Sequence, residues 1–362
     1  MSNFKKIVVT DKLKYFRPND TNGLKVVFLS FSCLPSISHW RSISPAKAMA
    51  KNCNVHTNVI FEHIRKEVLD WADIVVFQRL IGDMAKKLVT YCNLKNLVTI
   101  YDIDDNFYEY PDLEEYANID KKYTKNSVLD ILNDCDCVTT TTSYLKKVLK
   151  SNLPHKNIYI LPNHIDYEFW SKDIKYNNDE IIRIGYLGGD YHISDLQMVL
   201  PVIYKILEKY SNVKFEVIGM LTTLDKYFPD NVVHHKPMAI ENLPTFLSEN
   251  HYDIAIAPLL DNTFSEARSN IRLLQHSLFD TACVFSSVGS YKESYESGFS
   301  GVMVNNDFDS WFNAISDLIE NKEKRKNISN SAKLWTYKNH NIDTQAIKYV
   351  RAYQDIFKKA FQ

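Results

Sequence analysis

Glycine is scarce in this chain, with nine residues in 362. Left-handed turns and close backbone approaches draw on glycine, so each of the nine merits attention. Zinc-binding patterns are missing. The six cysteines (Cys33, Cys53, Cys92, Cys135, Cys137 and Cys283) form no C-x-x-C pair, and no histidine stands at zinc-like spacing to them. They read as small core residues in a reducing compartment. No apolar run reaches the roughly 18 residues of a membrane-spanning helix. The opening MSNFKKIVVTDKLKYF lacks the apolar centre of a signal peptide. Neither charge is in excess: 43 Lys and Arg against 44 Asp and Glu leave a net charge of −1. A surface devoted to nucleic-acid phosphates would tilt that balance to basic. The expectation is a soluble, cytoplasmic protein that binds no nucleic acid.

What remains is ample for folding. Hydrophobic residues make up 45% and charged residues 24%, enough to bury a core and too apolar for long disorder. The length suggests two domains, or one large one. Short apolar runs alternate with longer helical stretches, the mark of α/β layering. In the first half LKVVFLSF (24–31), ADIVVFQRL (72–80), LVTIYDID (97–104), CDCVTTTT (135–142) and NIYILPN (157–163) read as strands. Helices fall between them, one opened by a Ser143 N-cap. HIDYEFWSKDIKYNNDE (164–180) has no periodicity and reads as a linker. The pattern restarts with IIRIGYLGG (181–189), a strand running into a Gly-Gly turn. A long helix follows (194–212), with Pro201 as a candidate kink. VKFEVIG (213–219), YDIAIAPL (252–259), ACVFSS (282–287) and GVMVN (301–305) are further strands. From Ser310 the chain reads as helical, with an interruption near residue 340. The predicted domains are 1–170 and 171–338, with a helix at 339–362 that packs back on the first.

Three constellations carry chemistry. Gly188 and Gly189 lie between a strand and a helix, where backbone N–H groups approach a phosphate. In FSEARSNIRLLQHSLFD (264–280), Ser269 reads as an N-cap. Ile271, Leu274 and Leu278 share one apolar face, and Arg268 flanks the helix start. Arg272 and Gln275 fall on another face. A guanidinium, a helix start and a Gly-Gly turn together suit a diphosphate without a metal. In TIYDIDDNFYEYP (99–111), Asp102, Asp104 and Asp105 crowd a strand end. Residue types alone leave three readings there: a D-x-D metal site, caps of the strand end and loop, or carboxylates that orient a substrate hydroxyl. His39, Trp40 and Arg41 follow the first strand and are candidates for the same side.

At these motifs the chain resembles the GT-B glycosyltransferases, in particular the retaining group that builds surface polysaccharides (glycosyltransferase family 4-like). YDIDDNFYEYP, CVTTTTSYL, ILPNHIDYEFW, RIGYLGGDYHISDL and FSEARSNIRLLQHSLFDTACVFSS carry the resemblance, which spans nearly the whole chain. It implies an α/β fold of two Rossmann-like domains facing a cleft. Donor-binding positions would be Gly188, Gly189, His192, Arg268, Ser269, Asn270 and Gln275, with Arg268 at the diphosphate. Asp104 and Asp105 join Arg268 as catalytic candidates, and Arg41 and Asp102 lie on the acceptor side. No metal or cofactor is implied. The partners are a UDP- or GDP-linked sugar and a glycan acceptor, free, lipid-linked or protein-linked. A weak peripheral contact at the inner face of a membrane goes with a lipid-linked acceptor. Two departures stand out: Gln275 replaces the family's ribose-binding Glu, and Asp280 its usual Gly. They keep two alternatives open, a degenerate binding protein without catalysis and a nucleotide-sugar epimerase of the same fold.

Overall fold

Strands whose residues are buried from end to end need neighbours on both faces, and the central strands here are of that kind. The structure, a computed structural model, describes residues 23–30, 35–61, 64–109, 125–189, 192–219 and 232–362. The opening segment and Cys33 lie outside the described residues. The chain divides into two compact units. The first runs to Asp166 and takes up Asn341–Gln362, and the second is Tyr167–His340.

The first unit holds β1 (Lys25–Ser30), β2 (His56–Ile60), β3 (Ile74–Gln78), β4 (Val98–Asp102), β5 (Cys137–Thr140) and β6 (Asn157–Ile160). They form one parallel sheet in the order β2-β1-β3-β4-β5-β6. The strand order reverses between β1 and β3. The second unit holds β7 (Ile182–Leu187), β8 (Val213–Ile218), β9 (Val232–His235), β10 (Ile254–Ala257), β11 (Ala282–Ser286) and β12 (Val302–Val304). They pair in parallel as β12-β11-β10-β7-β8-β9, reversing between β7 and β10. Open parallel sheets bind ligands beyond the carboxyl ends of their strands, at such reversals.

The helix Ile342–Ala360 belongs to the first unit. Ile342, Ala346, Tyr349, Val350, Tyr353 and Ile356 form its buried stripe. They share a core with Val26 and Phe28 of β1 and with Ala46, Ala48 and Met49 of the helix Ser44–Asn52. Each large apolar side chain so buried contributes roughly 1.5–3 kcal/mol. The interruption near 340 falls at Asn341, whose side chain accepts from the Asp343 amide at 3.0 Å.

Two local expectations, both helix caps, are corrected. Thr142, not Ser143, caps the helix Ser143–Asn152: its backbone is extended, and its Oγ1 accepts from the Leu145 amide at 3.1 Å. Asn270, not Ser269, stands at the cap of the helix Ile271–Ser277. The helix Ile193–Lys209 runs through Pro201 unbroken. Pro201 and Gln197, whose carbonyl loses its partner, both face solvent. The strands β2 and β9, both at sheet edges, escaped the sequence reading because HTNVI and VVHH are half polar.

Candidate functional site

In the first unit a row of polar residues crosses the sheet at its carboxyl edge. Ser30 of β1 lies in register with Gln78 of β3, Gln78 with Asp102 of β4, and Asp102 with Thr139 of β5. All four are buried, so each needs partners. Ser30 Oγ donates to Gln78 Oε1 at 2.7 Å, with the Ser38 and Ser42 hydroxyls 2.9 and 3.1 Å away. Gln78 Nε2 has no partner among the described residues. Thr139 Oγ1 donates to Asp102 Oδ2 at 2.6 Å.

Arg41 sits on a π-helical turn, His39–Ile43, and grips Asp102 with both ends of its fork. Nε donates to Oδ1 at 3.0 Å and Nη2 to Oδ2 at 2.6 Å. Its Nη1 reaches the Leu161 carbonyl (2.6 Å) and Asn163 Oδ1 (3.0 Å). Burial works against the Arg41 charge, but Asp102 outweighs it and raises the guanidinium pKa. Removing either partner strands a buried charge, at a cost of about 3–5 kcal/mol. Arg41 and Asp102 are therefore committed to each other. Trp40 is buried, and so is His39, whose pKa is pushed down to about 3 by burial and by Lys47.

Beyond Asp102 the chain leaves the sheet, and Asp104 and Asp105 meet Arg79, the residue after β3. Arg79 Nη1 lies 2.9 Å from Asp105 Oδ2 and 3.4 Å from Asp104 Oδ1. Arg79 is 3% exposed, while the Asp104 side chain keeps 13%. Burial, and then Asp105 against the pull of Arg79, pushes the Asp104 carboxyl up to about 6. Such a group gains and loses a proton within the working range of an enzyme.

In the second unit the turn after β7 is built around Gly188. A Cβ there would come 2.7 Å from the Tyr186 hydroxyl, whereas Gly189 has open space beside it. The Gly188 amide donates to the Ile218 carbonyl at 3.0 Å and the His192 amide to the Gly189 carbonyl at 2.9 Å. His192 stands at the start of the helix Ile193–Lys209. Its Nδ1 lies 2.8 Å from Asp195 Oδ2, and Asp195 Oδ1 accepts from the Leu260 amide at 2.8 Å. Burial first, then Arg268 and Arg272, hold His192 well below the usual imidazole range, so it is neutral. With the proton assigned to Nδ1 by the Asp195 contact, Nε2 offers a lone pair.

Arg272 lies buried at the same sheet reversal. Its Nη1 donates to the Pro258 carbonyl, just past β10, at 3.3 Å, and its guanidinium lies 5.6 Å from the centre of the Tyr186 ring. Its Nη2 is buried with no partner among the described residues. Arg268 is half-buried and lies 4.7 Å from the centre of the Phe264 ring. Asn270 is tied to Ser294 at 2.8 Å, and Gln275 is 5% exposed. Asp280 has φ +52°, the left-handed conformation that glycine tolerates. Its carboxylate holds Lys333 (2.8 Å) and Tyr176 (2.5 Å), which gives this departure a structural account.

The structure thus brings together Gly188, His192, Arg268 and Arg272 around the reversal of one sheet, and Asp102, Asp104, Asp105 and Arg41 at the edge of the other. Sequence reasoning missed Arg79 and Asp195, and named Arg272 only as lying on another face of its helix. The signal for Arg272 was a charge inside the apolar stretch IRLL. For Asp195 it was the i, i+3 spacing from His192. Arg79 left no local signal.

No protein-family profile matches the chain, and no curated protein sequence does. Solved structures match it by fold. Sucrose-phosphate synthase from Thermosynechococcus elongatus superposes with a TM-score of 0.63 over 93% of this chain and 100% of that one, at 10% identity. Anabaena Alr3699/HepE, in complex with UDP and glucose, gives 0.60 over 92% and 100%, at 11% identity. TarM gives 0.59 at 12% identity over 78% of this chain, which spans about half of TarM's length (54%). The shared architecture is two six-stranded parallel sheets with alternating helices, the two Rossmann-like domains of the GT-B fold.

Proposed function

We propose that this protein is a glycosyltransferase that moves a sugar from a UDP- or GDP-linked donor to a glycan acceptor. The observation that carries the reading is the second unit's sheet reversal. There two arginines, one with a buried Nη2 that has no partner among the described residues, flank a glycine turn and the start of a 17-residue helix. That is an arrangement for a diphosphate. Similarity in fold to a structure bound to UDP and glucose supports it.

Arg268 and Arg272 neutralise the charge that gathers on the departing diphosphate, and the Gly188–Gly189 turn lets its oxygens approach the backbone. His192, neutral and oriented by Asp195, accepts a hydrogen bond from a donor hydroxyl through Nε2. Asp104 receives the acceptor hydroxyl. Transfer proceeds with retention, as the family resemblance implies, and without a divalent metal, since Arg41 already matches Asp102 and Arg79 already matches Asp105. The acceptor is a glycan, free or carried on a lipid or protein. Work on a lipid carrier calls for peripheral contact with a membrane; no helix among the described residues is long and apolar enough to cross one.

A thermal-shift screen with nucleoside diphosphates and their sugars tests this, since a ligand of the folded state raises apparent stability. Stabilisation that persists in EDTA, with slow release of free sugar from the stabilising nucleotide-sugar, is the expected result. Stabilisation that vanishes in EDTA and returns with Mn²⁺ overturns the metal-independent mechanism. No response to any nucleotide overturns the function.

A further inference from the structure

Four non-glycine residues among those described have a left-handed backbone: Asn54, Arg79, Asn96 and Asp280. Asparagine and aspartate are enriched in that conformation, but arginine is not. Arg79, with φ +51°, is also buried and stands directly after β3 at the carboxyl edge. A long side chain held this way is held by its surroundings, and such positions gather at functional sites. Its backbone amide donates to the Asp102 carbonyl at 3.1 Å, so the turn is tied to the end of β4. From there its guanidinium reaches two adjacent carboxylates unequally, Asp105 at 2.9 Å and Asp104 at 3.4 Å. Among the described residues, Arg79 is the one hydrogen-bond partner of the Asp104 carboxylate.

We propose that Arg79 is a positioning residue: from its left-handed turn it fixes Asp105 and leaves the Asp104 carboxylate available to accept a hydrogen bond from an incoming hydroxyl. That the hydroxyl belongs to a glycan acceptor rests on the glycosyltransferase reading, whereas the grip itself rests on the geometry. The charged groups that face Asp104 are Arg79 and Asp105, then Arg41 and Asp102. Burial and Asp105 raise its pKa, and Arg79 lowers it, to a balance of about 6. The two nearest groups therefore act in opposite directions, and substituting each gives opposite signs.

Carbon-13 carboxyl NMR of aspartate-labelled protein, with the Asp104 resonance assigned through Asp104→Asn, reads this directly. The wild-type midpoint is expected near 6. Arg79→Gln should raise proton affinity about tenfold or more, one unit of midpoint. Arg79→Lys should keep most of the wild-type value, and Asp105→Asn should lower the midpoint. Should Arg79→Gln fail to fold, Arg79→Lys and Asp105→Asn still decide the matter. A wild-type midpoint in the ordinary carboxylate range, or one that Arg79→Gln and Asp105→Asn both leave unmoved, overturns the proposal. With a nucleotide-sugar and acceptor, the acidic limb of the rate profile should move with the same midpoints, and Arg79→Gln should raise the acceptor KM more than it lowers kcat. A titration that behaves as stated in a protein that transfers no sugar upholds the positioning role and overturns the sugar-transfer reading alone.

Discussion

Arg268 and Arg272 are four positions apart, but they are held differently. Arg268 is half-buried over Phe264, and Arg272 is buried with one donor unpartnered among the described residues. Substituting either by alanine should weaken nucleoside-diphosphate binding by roughly 1.5–3 kcal/mol, the range for a hydrogen bond to a charged group. The nucleoside without phosphates should lose far less. Calorimetric titration of both ligands separates the cases, and equal losses would assign the arginines to packing. Asp104 makes a second prediction at this scale, and its sign can be worked out. Its folded pKa lies above the ordinary carboxylate range, so the folded chain binds more protons between roughly pH 4 and 6. Its contribution to stability is full below that window and is lost as pH rises through about 6. Its capacity to accept a hydroxyl's hydrogen bond runs the other way and fails as pH falls below 6. Urea unfolding and kcat/KM measured across pH 4–7 should show these opposite slopes, and Asp104→Asn should flatten both. The carboxylates were legible because three in four positions at a strand end is a dense signal. Arg79 was not, because its role depends on register between β3 and β4, which are far apart in sequence.

The helices and central strands were legible for a simple reason: IVVFQ and VTIYD are buried at every position, and the helices carry stripes at i, i+3 and i+4. Caps were harder. Thr141, Thr142 and Ser143 are all capping types in a row, and backbone geometry rather than residue type decides among them. Thr142→Ala should therefore cost about 1 kcal/mol. Ser143→Ala should stay within about 0.5 kcal/mol, as surface changes usually do. Urea midpoints of the two variants check it, and the reverse order would return the cap to Ser143. The turn at Asp280 invites a parallel comparison. Asp280→Gly relieves the left-handed backbone but releases Lys333 and Tyr176, so the two effects should nearly cancel. Asp280→Ala keeps the strain and loses the contacts, and should be the less stable by roughly 1 kcal/mol. If alanine matched glycine there, the backbone at 280 would carry no strain worth the name.

At the scale of the whole molecule, the features proposed to bind phosphate all lie within Tyr167–His340 and the acidic cluster within the other unit. A nucleotide should therefore slow amide hydrogen exchange first around β7, β10 and the helix Ile193–Lys209. The gain there can reach about 2.7 kcal/mol at a hundredfold excess over Kd. Protection that appears first around β4 and Asp102–Asp105 would move the donor to the first unit. The two-part layout was visible in the sequence as a restart of the strand pattern at Ile181. The border was less so, because HIDYEFW looks polar in the sequence while His164, Ile165 and Trp170 are buried.

The helix Ile342–Ala360 packs on β1 and on the helix Ser44–Asn52, yet all of Tyr167–His340 comes between it and the rest of its unit. On the ribosome this means a long wait. At about 5–20 residues per second, roughly nine to thirty-six seconds separate the end of β6 from the start of the helix that completes its domain. During that interval the apolar faces of Ala46, Met49, Val26 and Phe28 lack their lid. The second unit, continuous in sequence, can finish folding first. The nascent first unit is then the part of this protein most in need of a chaperone.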